Sequence, residues 1–382
     1  MQQIYLDNAA TAFPKAPGVS DAMKYYLDAV GANINRSVYG RAQEAGLTTL
    51  KLREQLKEFF SFPEKATHVL LTPGNTAGLN MVIKGLLHPG DHVLVSSMEH
   101  NAVMRPLLQL QGVSFDRIPC NREGYLDPDA AATLVRPNTR LCICAHASNV
   151  SGTVQNAAVL GKRMQEAGVP FLLDAAQSAG HIPVHFQELK LSALSVPGHK
   201  GLLGPGGVGA LLLTDTLAQR LDPLIAGGTG SASDSEYLPP YLPDRFESGT
   251  PNLPGYYGLS AALSFIKEKG LSALMAHEEA LTRQFLTGLK AIPSIAVVGP
   301  QGMENRVSVI SLDFLGRDNA EVADALEQRF GILTRCGLHC APSAHKTLGT
   351  FPRGTVRFSL GYANTAEEVD AALNAVEAMA HV

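Results

Sequence analysis

The chain has 382 residues, of which 45% are hydrophobic, and its formal net charge is −4. It contains no run of about 18 apolar residues, no basic signal region and no basic–aromatic tract, which argues against a membrane partner, a secretory leader and a nucleic-acid partner. Five cysteines without scaffold-like spacing favour free thiols in a reducing compartment. We therefore expect a cytoplasmic protein with one large and one smaller domain.

Short apolar segments alternate with helical patterns along most of the chain. We predict strands at 68–72, 92–96, 140–148, 170–176 and 208–214, with helices at 75–87 and 156–168. This alternation indicates an α/β protein with a mostly parallel sheet that is covered by helices. Residues 221–256 are rich in Gly, Pro and Ser and lack periodicity, so we expect a long functional loop there.

The stretch SVPGHKGLLGPGGVG, residues 195–209, holds two competing features. Gly204, Gly206 and Gly209 have the spacing of a dinucleotide-binding turn, but they run into a predicted strand, where such a turn requires a helix. We interpret these glycines as a tight connection that lets the backbone pass close to a bulky neighbour. Lys200 is then the candidate functional residue, although a lone lysine is more commonly a solvated loop residue.

Polar residues follow several predicted strands. Asp174 ends one strand and Gln177 lies three residues on, at the edge where open α/β sheets bind ligands. A carboxylate there could hold a protonated pyridine nitrogen, and Lys200 could form a Schiff base with pyridoxal 5'-phosphate. Asn75 and Thr76 follow Gly74 at a helix start, which is either a phosphate cradle or an ordinary helix cap.

Two further residues have both a functional and a structural interpretation. His100 precedes a helix and could stack on a planar cofactor or shuttle protons, or be a structural histidine. Cys142, Cys144 and His146 alternate along one strand, where a metal site is conceivable, but their apolar neighbours favour core packing. We therefore predict no metal.

Nine motifs occur in order along the chain. They are YLDNAAT (5–11), ANINRS (32–37), GNTAGLN (74–80), EHNA (99–102), HASNVSG (146–152), DAAQSAGH (174–181), GHKGLLGPGGVG (198–209), FESGTPN (246–252) and RCGLHCAP (335–342). Together they make the sequence similar to the class V (fold-type I) aminotransferase superfamily, and within it to the cysteine desulfurases and selenocysteine lyases. The resemblance implies a pyridoxal-phosphate domain over 15–258 and a small domain formed by 1–14 and 259–382.

The resemblance also implies roles for individual residues. Lys200 would bind the cofactor aldehyde, Asp174 the pyridine nitrogen and Gln177 the ring hydroxyl oxygen, with His100 stacked on the ring. The phosphate would be held by Asn75, Thr76 and His199, and by Thr250 of a neighbouring subunit in a homodimer with shared active sites. Pro197, Asn75 and Tyr39 depart from the residues that are common in the family.

The cysteine loop implies the reaction. Aminotransferases need no nucleophilic thiol, whereas RCGLHCAP offers Cys336 and Cys340, and the family pattern favours Cys340. Arg357 and Asn149 would bind the substrate carboxylate. The expected activity converts L-cysteine to L-alanine and leaves a persulfide on Cys340 for a sulfur-acceptor protein. The alternatives are a selenocysteine lyase, another β-eliminating lyase of cysteine derivatives, an aminotransferase, or a catalytically silent relative that serves as a binding scaffold.

Overall fold

The computed structural model of the chain describes residues 3–34, 39–292 and 294–380. Residues 35–37 of the predicted ANINRS motif lie outside the described residues. The strands are β1 Ile4–Tyr5, β2 Val69–Thr72, β3 His92–Ser96, β4 Ser114–Ile118, β5 Thr139–Ala145, β6 Phe171–Asp174, β7 Ala193–Pro197, β8 Gly209–Leu213, β9 Ile295–Val298, β10 Val309–Phe314, β11 Ile332–Leu333, β12 Arg335–Gly337 and β13 Thr355–Ser359.

Helices separate most of these strands. They are α1 Val19–Tyr25, α2 Gly40–Phe59, α3 Asn75–Leu86, α4 Asn101–Gln109, α5 Pro128–Thr133, α6 Ala157–Glu166, α7 Asp215–Ala218, α8 Leu253–Lys269, α9 Leu271–Leu289, α10 Asn319–Phe330, α11 Pro342–Leu348 and α12 Ala366–Ala380. A π-helical turn at Tyr26–Val30 continues α1, and a 3-10 turn at Ala66–His68 precedes β2. None of the described helices combines the length and apolar character needed to cross a bilayer.

The large sheet has seven strands among the described residues, in the order β2-β8-β7-β6-β5-β3-β4. Strand β8 runs antiparallel to the other six strands of this sheet, and those six share one direction. The predicted mostly parallel sheet is therefore confirmed. Strands β2, β3, β6, β7 and β8 are buried along their whole length, with core clusters on both faces of the sheet. Burial on both faces explains their continuous apolar sequences.

Cys142 and Cys144 lie in this core. Both are fully buried in β5 and pack with residues such as Leu173 and Leu194. Burial raises the pKa of both thiols, so they stay protonated and behave as small apolar side chains. The prediction that they serve core packing is confirmed.

The predicted long loop is shorter than expected at its C-terminal end. Helix α8 begins at Leu253, because the Asn252 side chain accepts a hydrogen bond from the Gly255 N–H and Pro254 occupies the first turn. The irregular segment between α7 and α8 therefore spans 219–252. The predicted end at 256 was wrong, since the helix cap was overlooked.

A second, antiparallel sheet forms in the C-terminal third, in the order β12-β13-β10-β9. Its core cluster includes Phe285, Phe314 and Phe358 and also takes in Leu6 from the N-terminal segment. This packing agrees with the prediction that residues 1–14 belong to the same small domain as the C-terminal third. The boundary predicted at residue 258 falls within α8, which packs on α1 and α2, so the exact domain limits stay a prediction.

Candidate active site

A cavity of about 520 Å³ opens at the carboxyl edge of the parallel strands. Strands β2, β3, β5, β6 and β7 all point toward this edge, and the segments after them form the walls. Eight of the predicted site residues line it: Asn75, Thr76, His100, Asn149, Asp174, Gln177, His199 and Lys200. Cys340, Arg357 and Thr250 are not among the lining residues.

Asp174 is nearly inaccessible to solvent, with 3% of its surface exposed. Its Oδ1 accepts hydrogen bonds from Asn75 Nδ2 at 2.8 Å and from the Ala176 N–H at 2.9 Å. Both bonds use the same oxygen, so Oδ2 remains available to a donor in the cavity. This environment suits a carboxylate that must hold a cationic N–H group.

Gln177 lies one turn after Asp174 and is also buried. Its Nε2 donates to the carbonyl oxygen of Ala9 at 2.9 Å. A primary amide has two N–H donors, so the second can serve a ligand oxygen. Through this bond to Ala9, the N-terminal YLDNAAT segment contacts a residue that lines the cavity.

Lys200 follows β7 in a turn closed by a hydrogen bond from the Gly204 N–H to the Gly198 carbonyl oxygen, 2.8 Å. Burial lowers its pKa to about 8, and attraction to Asp174 opposes that shift. A larger share of the amine is therefore neutral near physiological pH, as a nucleophile for an aldehyde must be.

The glycines around Lys200 permit close backbone contact. A Cβ at Gly201 would lie 2.3 Å from the Ala179 carbonyl oxygen, and one at Gly209 would lie 2.6 Å from the Val196 carbonyl oxygen and 3.0 Å from Gly74 Cα. These glycines let the lysine turn approach the segment after β6 and the start of the α3 region. A Cβ at Gly204 would lie 2.8 Å from Leu259 Cδ1, whereas one at Gly206 would meet nothing within 4 Å. The structure therefore supports the packing interpretation for Gly204 and Gly209 but not for Gly206.

His199 is held by two residues that the sequence did not single out. Its Nδ1 lies 3.1 Å from Thr11 Oγ1, while Lys15 Nζ donates to Thr11 Oγ1 at 2.9 Å and to the His199 carbonyl oxygen at 3.0 Å. Burial and the charges of Lys200 and Lys15 lower the pKa of His199 to about 4. The neutral ring can thus donate one hydrogen bond into the cavity. Thr11 is the last residue of the YLDNAAT motif, but the motif by itself did not indicate what Thr11 does.

Helix α3 starts at the cavity wall without a side-chain cap. Its first residues, Asn75 and Thr76, face the cavity together with Gly74. Uncapped N–H groups and the positive end of a helix favour an anionic ligand, and a phosphate matches both. The helix start therefore fits the cradle that the sequence predicted.

His100 caps helix α4: its Nδ1 accepts a hydrogen bond from the Ala102 N–H at 2.9 Å. Burial lowers its pKa, so the neutral ring carries its proton on Nε2. Beneath it, Glu99 is fully buried, bonds to the Ser96 hydroxyl and accepts from the Ala145 N–H at 2.8 Å. Burial raises the pKa of Glu99 to about 8, so this carboxyl is protonated at neutral pH. Nothing in the sequence pattern indicated its burial.

Arg357 lies on β13 with 2% of its surface exposed. Its Nη2 donates to Asp7 Oδ1 at 2.5 Å and its Nη1 to the Asn149 carbonyl oxygen at 3.1 Å. Its buried Nε has no hydrogen-bond partner among the described residues. Two of the five guanidinium N–H donors are thus in use and the others remain for a ligand, while Asp7, which the sequence analysis left without a role, balances the charge of Arg357.

Cys340 is exposed in a turn before α11. His339 and Cys340 both have left-handed backbone conformations, with φ of 48° and 56°. The Cys340 carbonyl oxygen accepts from the Asn101 N–H at 2.7 Å, and the His339 carbonyl oxygen accepts from Asn149 Nδ2 at 2.7 Å. Both donors belong to or adjoin the cavity wall, so the cysteine turn is fastened to the rim of the cavity.

His339 does not supply positive charge to this turn. Its side chain is buried and its Nε2 lies 3.1 Å from Thr355 Oγ1. Burial and the nearby Arg357 lower its pKa to about 2, so the imidazole is neutral. Its role in the turn is therefore structural. Cys336, the other candidate thiol, lies exposed in β12 opposite Val356.

Thr250 is exposed and lines a second cavity of about 450 Å³. Pro73, Ala77 and Gly207 line both cavities, so the two spaces adjoin at the start of α3. Three residues before Thr250, Glu247 forms a double ion pair with Arg53, with N–O distances of 2.7 and 2.6 Å. This buried pair fixes the segment that carries Thr250.

The fold is that of the fold-type I pyridoxal-phosphate-dependent transferases. A solved structure of a cysteine desulfurase from Thermococcus onnurineus NA1 superimposes with a TM-score of 0.91, at 31% identity over 99% of this chain and 95% of that one. The cysteine desulfurase CsdA of Escherichia coli, solved in an S-sulfonic acid form, gives a TM-score of 0.88, at 29% identity over 99% of this chain and 95% of that one.

The family follows from the sequence comparison. The family model Aminotransferase class-V matches residues 4–372, and the chain belongs to this family. A probable cysteine desulfurase of Methanothermobacter thermautotrophicus is 32% identical over 372 residues, which cover 96% of this chain and 92% of the relative. The resemblance and the fold class expected from the sequence are confirmed.

Proposed function

We propose that this protein is a pyridoxal-phosphate-dependent cysteine desulfurase that converts L-cysteine to L-alanine and retains the sulfur as a persulfide on Cys340. The observation that carries the proposal is the exposed Cys340, whose main chain is bonded to Asn101 beside the cavity residue His100. A transaminase has no use for a thiol placed there. The names of the relatives at about 30% identity support the same activity.

The residues present fit pyridoxal phosphate. Asp174 Oδ2 is available for the ring nitrogen, the second N–H of Gln177 for the ring hydroxyl oxygen, and His100 for one face of the ring. The uncapped start of α3, with Asn75 and Thr76, and the neutral His199 offer donors to the phosphate. When bound, the group supplies an electron sink for charge that develops at the substrate Cα.

The chain's own residues would carry out the remaining chemistry. Arg357 binds the substrate carboxylate through its free Nε, with Asn149 as a second donor. The Lys200 amine takes the Cα proton and holds it. The Cys340 sulfur, after its proton has passed to solvent, then bonds to the substrate sulfur as the Cβ–S bond breaks. The electron pair of the broken bond goes to Cβ, which takes a proton from solvent, and Cα takes back the proton that Lys200 holds. Alanine leaves, and the transferred sulfur remains bonded to Cys340 as a persulfide.

We also propose a homodimer with shared active sites. Thr250 lines the adjoining cavity and not the predicted cofactor cavity of its own chain. The segment around it exposes large apolar side chains, including Ile225 at 68% and Tyr241 at 50%. A second copy would cover these side chains and receive Thr250 at its own phosphate cradle. The exposed position of Cys340 leaves a persulfide accessible to the thiol of a sulfur-acceptor protein.

A panel of substrates tests the activity. The purified protein, supplied with pyridoxal phosphate, is given cysteine, selenocysteine and S-substituted cysteines, and alanine, pyruvate and sulfide are measured. A desulfurase releases alanine from cysteine, and a reductant then frees the sulfur as sulfide. Pyruvate in place of alanine would identify a β-eliminating lyase, and exchange of amino groups with oxo acids would identify an aminotransferase.

A further inference from the structure

Asn75 occupies an unexpected position in the site. Although it starts the helix that fits the phosphate, its side-chain amide points to Asp174, with Nδ2 2.8 Å from Asp174 Oδ1. The reverse amide orientation would set a carbonyl oxygen against a carboxylate, so this orientation is fixed by charge. Asn75 Oδ1 is buried and has no hydrogen-bond partner among the described residues. Within the described part of the chain, the side chain of Asn75 therefore bonds to Asp174 alone.

We propose that Asn75 is a positioning residue for Asp174, through which it controls the contact between that carboxylate and the ring nitrogen of pyridoxal phosphate. This inference rests on the proposed function, because it needs the cofactor as the partner of Asp174. It assigns to Asn75 a role distinct from the phosphate contact that the sequence predicted. Thr76, the next residue in the helix, remains a phosphate contact.

The geometry explains how the amide acts. Asn75 Nδ2 and the Ala176 N–H both bind Oδ1, and together they fix the rotation of the carboxylate and leave Oδ2 for the cavity. Asp174 is 3% exposed, so little water replaces a lost donor. Removing the amide takes away one of the two donors that fix Oδ1, so the carboxylate is free to rotate. This rotation weakens the bond from Oδ2 to a ring N–H.

The backbone at this position tolerates a change of side chain. Asn75 is the first residue of α3, where alanine is readily accepted, and its own carbonyl oxygen, not its side chain, bonds to Ser195 Oγ at 3.2 Å. Asn75→Ala should therefore fold and leave the N–H groups of the helix start in place. The loss is confined to the bond with Asp174.

The test compares two cofactors that differ in one atom. Pyridoxal phosphate and its deaza analogue, in which carbon replaces the ring nitrogen, are titrated into the cofactor-free protein, and their dissociation constants are measured by absorption and fluorescence. The wild-type protein should prefer pyridoxal phosphate, because only this cofactor can bond to Asp174. In Asn75→Ala the preference should fall about tenfold, as expected for one hydrogen bond to a charged group.

Thr76→Ala is the matched control, since it changes the adjacent residue of the same helix turn. It should weaken both cofactors by the same factor and leave the preference unchanged. If Asn75→Ala also weakens both equally, Asn75 acts on the phosphate or on the fold, and the inference is wrong. Asn75→Leu, which keeps a side chain of similar size but has no hydrogen-bond donor, gives the same comparison should the alanine variant not fold. A wild-type protein that binds neither cofactor would instead refute the proposed function.

Discussion

The main-chain N–H of Asn101 donates to the carbonyl oxygen of Cys340 at 2.7 Å. Asn101 is the first residue of α4 and directly follows His100, which lines the cavity. A main-chain N–H at a helix start, which would otherwise lack an acceptor, thus holds the cysteine turn beside the cavity. Because this bond uses the main chain of Cys340, the sulfur atom is left free to react.

Replacing Cys340 should separate the binding of substrate from the transfer of sulfur. Cys340→Ser should still bind L-cysteine, because Arg357 and the cofactor residues are unchanged, but should release almost no alanine. A hydroxyl has a much higher pKa than a thiol and is a poor nucleophile toward sulfur. Two measurements test this prediction. One is the release of alanine, and the other is the mass of the peptide that contains residue 340, which shows whether that peptide carries an extra sulfur atom.

Cys336→Ser is the control, because Cys336 is also exposed and lies only four residues before Cys340, in strand β12. It should retain alanine release and the persulfide mass on the Cys340 peptide. A persulfide on Cys336, or full cysteine activity in Cys340→Ser, would show that the nucleophile was assigned wrongly. Activity of Cys340→Ser with selenocysteine alone would indicate that the weaker carbon–selenium bond needs no thiol.

Lys200→Ala should abolish the absorption band of lysine-bound pyridoxal phosphate. The amine is the group that can bind the aldehyde, and its pKa of about 8 leaves part of it neutral near physiological pH. Absorption spectra of the dialysed proteins after incubation with the cofactor show the result. Lys24→Ala, which changes an exposed lysine on α1, should keep the band. A wild-type protein that stays colourless after reconstitution would contradict the assignment.

Sharing of active sites can be tested with mixed dimers. Lys200→Ala and Thr250→Ala subunits, each of low activity alone, should recover activity when they exchange, since one of the two sites in a mixed dimer then has both residues intact. Exchange is verified by differently tagged subunits. If mixed dimers form and activity does not exceed that of the parents, Thr250 does not serve the neighbouring site.

Glu247→Gln should destabilise the protein strongly. The change leaves Arg53 buried without its counter-charge and weakens the bond from the Leu71 N–H to Glu247 Oε1, 2.7 Å long. Breaking one side of a buried pair costs about 3–5 kcal/mol in the free energy of unfolding, and urea titration of the variant and the wild-type protein would measure this loss. Glu58→Gln breaks the exposed pair with Lys267 and should have little effect. Equal losses in the two variants would contradict this view.

The stability of the protein should depend on pH through His181. Burial lowers its pKa, but the charge and hydrogen bond of Glu278, 2.8 Å away, raise it more, so the folded-state pKa lies above 6.5. The ion pair therefore stabilises the fold fully below pH 6.5 and loses this contribution as the pH rises through the raised pKa.

His181→Asn removes this contribution. The difference in free energy of unfolding between the wild-type protein and the variant should shrink when urea titrations at about pH 6 and about pH 9 are compared. Ser308, which donates to the same Glu278 oxygen at 3.0 Å, is unchanged in the variant. A difference that is constant across this range would mean that the pair contributes packing and not charge.

Residues at the strand ends were predictable because their places depend on local pattern. Asp174 ends an apolar strand that was predicted, and the carboxyl ends of parallel strands meet at one edge of the sheet. Lys200 was singled out by its motif and not by a predicted strand. The polar edge strand β4 was missed, since its sequence SFDRI offers no apolar run. Strand β7 was also missed, although it leads directly to Lys200.

The partners of the site residues could not be predicted. Asp7 and Arg357 are 350 residues apart, and nothing local in either segment indicates their contact. The same holds for the burial of Glu99 and for the bond between Asn75 and Asp174, which depend on how three strands align. Periodicity reports which face of an element is buried, but it does not report what that face meets.

The pairing of Asp7 with Arg357 also orders events during synthesis of the chain. The segment that holds Asp7 and Ala9 is synthesised before Gln177 and Arg357, so its contacts with them must wait for both. The seven-stranded sheet can assemble earlier, because its strands end at Leu213. A nascent chain that already carries the sheet, Lys200 and the start of α3 therefore still lacks Arg357, and Asp7 has no counter-charge until residue 357 has been added.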